Sequence, residues 1–200
     1  MAPRRDTRRR MLLSAVDLMR ERGAAGVTID AVLERSAAPR GSVYYHFPGG
    51  RAELVAAALE LAGDSITALI EGASGDGAVE ALHRFSAFWA GALRDSDFRA
   101  GCPVVSVAVG GSSEEDHLRP AVAETMGRWR DVLTAAMVAD GLTPREAGSL
   151  ATMAIASIEG AIILCRVQRS IEPLDDVIAH MEALVSAARA ARTGAAPTSP

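Results

Sequence analysis

The strongest indication of the fold is the stretch Thr28–Phe47, which reads Thr-Ile-Asp-Ala-Val-Leu-Glu-Arg-Ser-Ala-Ala-Pro-Arg-Gly-Ser-Val-Tyr-Tyr-His-Phe. Thr28 can cap a helix, because its hydroxyl accepts a hydrogen bond from a free backbone N–H of the first turn. Pro39 ends that helix, since proline disfavours helical geometry in the residue before it. A second helix begins at Gly41-Ser42 and is dense in Arg, Ser, Tyr and His side chains. The stretch therefore predicts a helix-turn-helix whose second helix lies in the major groove of DNA.

The charge distribution supports the same interpretation. All 21 basic residues are arginine. Residues 1–51 hold ten arginines and five acidic residues, a net charge of +5, whereas residues 52–200 hold eleven arginines and twenty acidic residues, a net charge of −9. A basic segment on an acidic body is typical of a protein that binds a polyanion. The alternative is a charged, disordered amino-terminal tail, which the arginines among residues 4–10 alone would allow.

Periodicity predicts helices throughout, so the expected fold class is all-α. The one β-branched run, 104–109, is isolated and is assigned to a short helix or irregular segment at 102–110. The strongest start signal is Thr143-Pro144-Arg145-Glu146, with a capping hydroxyl, a proline at the first helical position and a glutamate at the third. Ser112-Ser113-Glu114-Glu115 also resembles a capping box and is predicted to open helix seven. The longer helices are expected at 7–21, 51–71, 78–94, 112–139, 143–169 and from 172 onward, with a frayed tail at 190–200.

Composition places the chain among globular proteins, because 49% of its residues are apolar. The arginine-rich start does not fit a secretory signal peptide. Cys102 and Cys165 form no metal-spaced pair, which favours a reduced, cytoplasmic setting. The segment Ala147–Cys165 is apolar enough to be mistaken for a membrane span. Because Glu159 and several small polar residues interrupt it, we interpret it as a buried interface helix.

Pro39-Arg40-Gly41-Ser42-Val43-Tyr44-Tyr45-His46-Phe47-Pro48 resembles the recognition-helix signature of TetR-family transcriptional repressors. The resemblance covers the whole chain. It implies a three-helix helix-turn-helix DNA-binding domain at 1–50, a six-helix ligand-binding and dimerisation domain at 51–192, and a disordered tail at 193–200. One departure is Gly49-Gly50-Arg51, where the family usually has a lysine opening the fourth helix. Further on, Phe98-Arg99-Ala100-Gly101-Cys102-Pro103 resembles the LmrA/YxaF-type subgroup, several of whose members control drug-efflux or small-molecule-responsive genes.

DNA contacts are predicted for eight residues. Arg40 is expected either to bind guanine O6 and N7 or to hold a phosphate, and Ser42 to contact a base edge or a phosphate. Tyr45 points outward if Val43 and Phe47 point inward, and Gly41 permits close backbone approach. Further contacts are implied by the resemblance, which places Tyr44 and His46 at the DNA and Thr28 and Arg51 on flanking phosphates. For Tyr44, an internal packing role is the open alternative.

A homodimer that reads a palindrome is expected, because one small helix-turn-helix domain seldom binds tightly alone. Helices eight and nine are the predicted interface, as a four-helix bundle across a two-fold axis. Packing of these helices within one subunit is the alternative. The small and apolar residues expected to form the interface are Gly148, Ala151, Ala154, Ile155, Ile158, Gly160, Ile162, Ile178, Met181, Ala183, Leu184, Ala187 and Ala191.

An effector pocket is expected where the family forms one, around helices five to seven. Aromatic and methionine side chains suit a small apolar or aromatic molecule, although each of them also fits an ordinary core. Glu159 is the best polar candidate, since a carboxylate in an apolar helix needs a basic side chain or a cationic ligand as partner. The predicted ligand-binding residues are Phe85, Phe88, Trp89, Phe98, Met126, Trp129, Met137 and Glu159.

The predicted function is therefore a ligand-released repressor. By resemblance, the effector favours a conformation whose recognition helices no longer match successive major grooves. An enzyme is the second hypothesis, but the sequence offers no nucleophile–base pair, metal spacing, phosphate loop or cofactor motif in its favour. A membrane-anchored or structural helical protein is the third.

Overall fold

The computed structural model describes residues 4–75, 77–110 and 113–193. Within these ranges the chain forms α-helices joined by turns and two 3₁₀ segments, without a strand, which confirms the all-α prediction. The helices are α1 Arg4–Arg22, α2 Ile29–Ser36, α3 Ser42–His46, α4 Gly50–Ser74, α5 Ala78–Asp95, α6 Pro103–Ala108, α7 Arg119–Ala139, α8 Pro144–Gln168 and α9 Glu172–Thr193; the 3₁₀ segments are Ala24–Gly26 and Ser113–Leu118.

As far as it is described, the chain groups into two compact units. The first comprises Met1–Ile66 with Arg99–Thr125, and the second comprises Thr67–Phe98 with Met126–Pro200. Helices α4 and α7 each contribute residues to both units. The domain limits expected from the sequence, 1–50 and 51–192, stay a prediction.

The first unit has α1, α2 and α3 around one apolar core. Met11, Met19, Val32, Val43 and Phe47 are all buried there. The predicted cap of α2 is present, because the Thr28 hydroxyl accepts from the Ala31 amide at 3.2 Å. The helix ends at Ala37, which has a left-handed backbone with φ of 51°.

An ion pair links α1 to α2 within this unit. Arg35 Nη2 donates to Glu21 Oε2 at 2.8 Å. The hydrogen bond from Arg35 holds the pKa of the Glu21 carboxyl below its ordinary value, and the same bond raises the pKa of Arg35. The pair therefore fastens the first helix of the helix-turn-helix to the preceding helix.

The start of helix seven differs from the sequence prediction. The residues expected to open it form the 3₁₀ segment Ser113–Leu118, and α7 begins only at Arg119. Pro120 explains the later start, since proline suits the first turn of an α-helix and lacks the N–H that an earlier helix would need from it. Ser112, the predicted cap, lies outside the described residues.

The second unit contains α5, α8 and α9 packed against one another. The capping box at the start of α8 is confirmed: the Glu146 amide donates to the Thr143 hydroxyl at 3.3 Å, and the Thr143 amide donates to the Glu146 carboxylate at 3.1 Å. The tail prediction is wrong for 190–193, because α9 continues to Thr193. The predicted disorder from 194 onward lies outside the described residues.

Helix α8 is long and apolar enough to cross a membrane, by length and composition alone. A core helix of a soluble protein meets the same criterion, and one face of α8 is packed inside the second unit. That face carries a buried Cys165, whose thiol pKa is raised by burial. The remaining buried residues of α8 are Ala147, Ala151, Ala154, Ile158, Ala161 and Ile162.

Candidate DNA-binding surface and candidate ligand cavity

Helix α3 presents two tyrosines outward and is held by two apolar side chains inward. Val43 and Phe47 are fully buried, whereas Tyr44 and Tyr45 are 62% and 57% exposed. The Arg8 guanidinium of α1 lies 5.0 Å above the centroid of the Phe47 ring. The predicted orientation of Tyr45 is therefore the one that the structure shows, and the buried pair fixes how the short helix presents its outer face.

The structure disfavours the internal packing role considered for Tyr44, whose predicted DNA contact stays a prediction. An internal packing role would require burial, and most of this side chain is exposed. Its ring edge lies over the backbone of Gly50, where an added Cβ would be 3.4 Å from Tyr44 Cε1. The neighbouring rings of Tyr45 and His46 meet edge to face, with centroids 4.9 Å apart. These contacts orient the polar face of α3 without burying it.

The turn before α3 and the first residue of α3 carry three more of the predicted contact residues. Arg40 and Gly41 are exposed, and Ser42 is half-buried, with its hydroxyl donating to the Pro39 carbonyl at 2.6 Å. Gly41 has an ordinary φ of −76°, and no heavy atom outside its local backbone lies within 4 Å of the position that a Cβ would take. The fold of the described chain therefore places no demand for glycine at this position.

Arg51 is engaged by acceptors inside the first unit, and its predicted phosphate contact stays a prediction. Its Nη2 donates to Glu115 Oε1 at 2.7 Å and to the Ala24 carbonyl at 2.9 Å, and its Nε donates to the Val27 carbonyl at 2.9 Å. Glu115 is only 5% exposed. Planar donors on two sides let arginine hold several acceptors at once, so Arg51 joins three segments of the first unit.

The Gly49-Gly50 departure from the family pattern has a local reason. Gly50 begins α4 with φ of +64°, in the left-handed region that favours glycine. The Gly49 amide donates to Glu53 Oε2 at 2.7 Å, which satisfies an N–H at the start of α4. This turn directs Arg51 toward the interior of the unit.

The second unit contains a cavity between its helices. Its empty space is about 400 Å³ with the open mouth included, and the part that the centre of a water molecule can reach is about 20 Å³. The residues that line it come from α4, α5, α7 and α8, and are Ile70, Ala81, Leu82, Phe85, Trp129, Leu133, Ile155, Ile158 and Glu159.

Three of the predicted ligand-binding residues, Phe85, Trp129 and Glu159, line this cavity. The others do not: Trp89 and Met137 are buried in the core, Phe88 is 40% exposed beside Trp89, and Met126 is half-buried and not among the lining residues. Phe98 lies in the loop after α5, with its ring 6.0 Å from the Arg169 guanidinium. Sequence reasoning anticipated Leu133 but overlooked the rest of the aliphatic lining, for which the one available signal is the helical spacing of Ile155 and Glu159.

The residues expected at the dimer interface fall into a buried group and an exposed group. Ala151, Ala154, Ile158, Ile162, Ile178 and Met181 are buried within the chain, as the single-subunit alternative holds for these residues. Exposed apolar residues lie on another face of α8, at Met153, Ile163, Leu164 and Val167, and at Leu184 of α9. The predicted small residues Ala183, Ala187 and Ala191 of α9 are exposed too.

Comparisons with known proteins agree with this geometry. Residues 12–58 match the model of the bacterial regulatory proteins of the tetR family, and residues 78–180 match the LmrA/YxaF-like C-terminal domain of transcriptional regulators. The uncharacterized HTH-type transcriptional regulator Rv0196 of Mycobacterium tuberculosis is 41% identical over 185 residues, covering 90% of this chain and 94% of that protein.

A more distant relative is the HTH-type transcriptional regulator LmrA of Bacillus subtilis, which is 28% identical over 84% of this chain and 91% of its own length. The crystal structure of a regulatory protein TetR from Rhodobacter sphaeroides superposes with a TM-score of 0.79 at 20% identity, covering 88% of this chain and 97% of that chain. These relatives are regulators and not enzymes. The chain belongs to the TetR family of bacterial transcriptional regulators, with an LmrA/YxaF-like C-terminal domain.

Proposed function

We propose that this regulator is a repressor that binds a palindromic operator as a homodimer and is released by a small apolar or aromatic effector. The observation that carries the proposal is the outer face of α3. Tyr44 and Tyr45 are exposed while Val43 and Phe47 are buried, so the helix offers hydrogen-bonding groups to an external partner at a fixed orientation. Such a helix suits the major groove, which is wide enough to admit it.

Within this surface, we assign different roles to different side chains. Arg40 is the candidate for direct readout of guanine, or for a phosphate. Thr28, Ser42, Tyr44, Tyr45 and His46 contact the sugar–phosphate backbone or base edges, and Gly41 lets the DNA backbone approach closely. Phosphate contacts set affinity and register, whereas base-edge contacts set sequence choice. Arg51 acts indirectly, because it holds in place the elements that carry these groups.

The homodimer is proposed to form through α8 and α9, on the exposed face rather than the buried one. Met153, Gly160 and Val167 are spaced seven residues apart on α8, so they follow one stripe along the helix. Ile163 and Leu164 lie beside the stripe and are each 50% exposed. An exposed apolar stripe of this kind marks an interaction surface. A two-fold dimer places the same stripe of two subunits together.

Release by an effector requires that the ligand prefer one of two conformations. Helix α4 is the proposed lever, because one continuous helix carries Arg51 at its start and Ile70, which lines the cavity, near its end. The water-reachable part of the cavity is small, so a drug-sized effector would have to widen it. That widening is how binding energy would be coupled to a change along α4.

A cytoplasmic location is proposed as well, since Cys102 and Cys165 are both buried as free thiols.

Selection of random duplex DNA on the purified protein at moderate salt tests the proposal. An enriched site with two-fold symmetry is the expected result, and its half-site spacing should be close to one helical turn, about 34–36 Å. Retention without enrichment, vanishing as the salt concentration rises, would contradict the operator-binding repressor, because phosphate contacts alone behave in that way.

A further inference from the structure

The amino-terminal end of α1 carries a cluster of arginines. Residues 4–10 hold five arginines and one aspartate, a net charge of +4. The sequence left open a disordered tail for these arginines, whereas the structure places them in a helix that begins at Arg4. A helix holds its side chains in a fixed arrangement, so the cluster can form a surface of defined shape.

The stability of α1 does not explain this cluster. The positive end of the helix dipole favours acids and disfavours cations, yet the first turn holds two arginines beside Asp6. Positions 4 and 8, and positions 5 and 9, are arginine pairs four residues apart, a spacing at which like charges repel. The single acid of residues 4–10 is paired with Arg10, since Arg10 Nε lies 3.7 Å from Asp6 Oδ2. An external anion would offset the repulsion that remains.

Arg8 lies at the carboxyl end of α3. Its guanidinium is 5.0 Å from the centroid of the Phe47 ring, and Phe47 directly follows His46, the last residue of α3. Phe47 is fully buried, whereas Arg8 is exposed. A guanidinium over a ring uses its face for that contact, so its N–H donors remain for other acceptors. The fold therefore holds a charged group with several donors beside one end of the proposed recognition helix.

Arg9 adds a second exposed guanidinium next to Arg8 in the chain. No hydrogen bond or ion pair joins Arg8 or Arg9 to another of the described residues. The apolar residues that follow, Met11 and Leu12, are buried and attach this part of α1 to the core of the first unit. Both guanidinium groups are therefore accessible on an anchored helix.

The ligand that suits two such groups beside α3 is the phosphodiester backbone. Guanidinium groups bind phosphate oxygens through paired N–H donors. A helix is about 10–12 Å across and the major groove is about 12 Å wide, so the phosphates of both strands flank an inserted helix. A charged group beside one end of that helix meets these phosphates, while the outer face of the helix meets base edges.

We propose that Arg8 and Arg9 form a phosphate-binding site at the start of α1, which holds the DNA backbone beside the carboxyl end of α3. The inference rests on the proposed binding of DNA by α3, and it deepens that proposal by adding a contact surface on a different helix. Phosphate contacts carry no sequence information, so this site acts alike on the operator and on unrelated duplex DNA.

Titration of the full chain with fluorescent duplexes at several salt concentrations tests the proposal. Arg8→Met and Arg9→Gln should each lower the slope of the logarithm of affinity against the logarithm of salt concentration by about 0.9, and the double variant by about 1.8. Each single variant should weaken binding about three- to tenfold at about 0.1 M salt. An unchanged slope in the double variant would overturn the proposal.

Matched variants separate a phosphate contact from structural support and from net charge. Arg8→Met keeps an unbranched chain that covers Phe47, and Arg9→Gln relieves repulsion, so neither should lower the midpoint of thermal unfolding. Weaker binding with a lower midpoint and an unchanged slope would mean that the arginines only support the fold. Arg94→Gln removes the same charge from an exposed site of the second unit and should leave the slope unchanged. An equal loss of slope in Arg94→Gln would also overturn the proposal, because net charge would then explain the effect.

Failure of this site and failure of the repressor proposal give different results. Each variant is titrated with the selected operator and with an unrelated duplex of equal length. If selection enriches no site but the variants lower the slope on the unrelated duplex, the phosphate site stands and the operator-binding repressor is contradicted. If selection enriches a two-fold symmetric site and the slopes do not change, the repressor stands and the phosphate site is refuted.

Discussion

Arg51 and Glu115 form an ion pair with Nη2 and Oε1 2.7 Å apart, and the carboxylate is almost completely buried. The same guanidinium holds the carbonyls of Ala24 and Val27. Arg51 thereby joins the start of α4, the turn before α2 and the 3₁₀ segment Ser113–Leu118. The helix-turn-helix is thus tied to a segment more than sixty residues away in the sequence, within the first unit.

Glu115→Gln should lower the free energy of unfolding by about 1–3 kcal/mol, because the partly buried guanidinium loses its charged acceptor. Glu21→Gln, which removes the carboxylate of the more exposed Arg35 pair, is the control and should cost less. Denaturant unfolding measures both. Operator affinity of Glu115→Gln should be unchanged or lower. Tighter DNA binding with a steeper salt dependence would mean that Glu115 restrains Arg51 from a phosphate, as the sequence alone suggested.

Gly41→Ala should leave stability unchanged or raise it by up to about 1 kcal/mol, since φ is ordinary and the added methyl meets open space. Operator affinity should fall about tenfold or more, roughly 1.4 kcal/mol, because the methyl occupies space that the proposal gives to the DNA backbone. Gly50→Ala is the opposite control: its φ of +64° should cost about 1–2 kcal/mol of stability. If Gly41→Ala binds the operator as well as the unaltered protein, close approach at this position is refuted.

The helix-turn-helix was predictable because its signals are local. These signals are the threonine that caps the first helix, the proline that ends it, and the order of apolar Val43 followed by Tyr44 and Tyr45 in the second helix. Each of them acts within a few residues. The partner of Arg51 was not predictable, since a single sequence does not show which of twenty-five acidic residues will meet a given arginine. The positive charge of Arg51 suggested a contact with a DNA phosphate, but the left-handed turn at Gly50 directs the Arg51 side chain toward the interior of the unit.

The cavity was only partly predictable for a related reason. Periodicity indicates which side chains of a helix share a face, but it does not indicate which face meets a void and which meets a neighbouring helix. Trp89 and Trp129 look alike in the sequence, and both are buried, yet only Trp129 lines the cavity. The same ambiguity placed Ile158 and Ile162 of α8 in a dimer interface, although both are packed inside the chain.

Arg40→Ala should weaken operator binding without affecting the dimer. If Arg40 binds guanine, the loss should be about 1–3 kcal/mol, and a repeated selection should lose its preference at one base pair of each half-site. If Arg40 holds a phosphate, binding should weaken for all sequences alike, and the salt slope should fall by about 0.9 for each phosphate that Arg40 no longer neutralises. Fluorescence anisotropy at several salt concentrations separates the two roles. Dissociation of the dimer would contradict both.

The Glu21–Arg35 pair predicts a dependence of stability on pH. The folded state lowers the pKa of Glu21, so the pair stabilises the protein above the ordinary value of 4.5, and this contribution is lost as the pH falls through the folded-state value. A double-mutant cycle with Glu21→Gln and Arg35→Gln should give a coupling of about 0.2–1 kcal/mol near neutral pH, since the pair is partly exposed. The coupling should vanish in acid. A coupling independent of pH would show that charge does not carry the interaction.

Val167→Glu should disrupt the proposed homodimer, because Val167 is 78% exposed at the end of the apolar stripe of α8. Val109 provides a matched control, since it is a valine with a similar exposed fraction of 74% that belongs to the first unit, whereas α8 and α9 belong to the second. Both glutamates remain solvated in a monomer, so neither should change monomer stability by more than about 0.5 kcal/mol.

Sedimentation equilibrium should then show a weakened dimer for Val167→Glu and an unchanged one for Val109→Glu. A second variant on the same face, Leu164→Glu, should also weaken the dimer. Operator affinity should fall with dimer affinity, because two recognition helices share one binding event. An intact dimer in both variants would exclude this face of α8 and require the subunits to meet elsewhere.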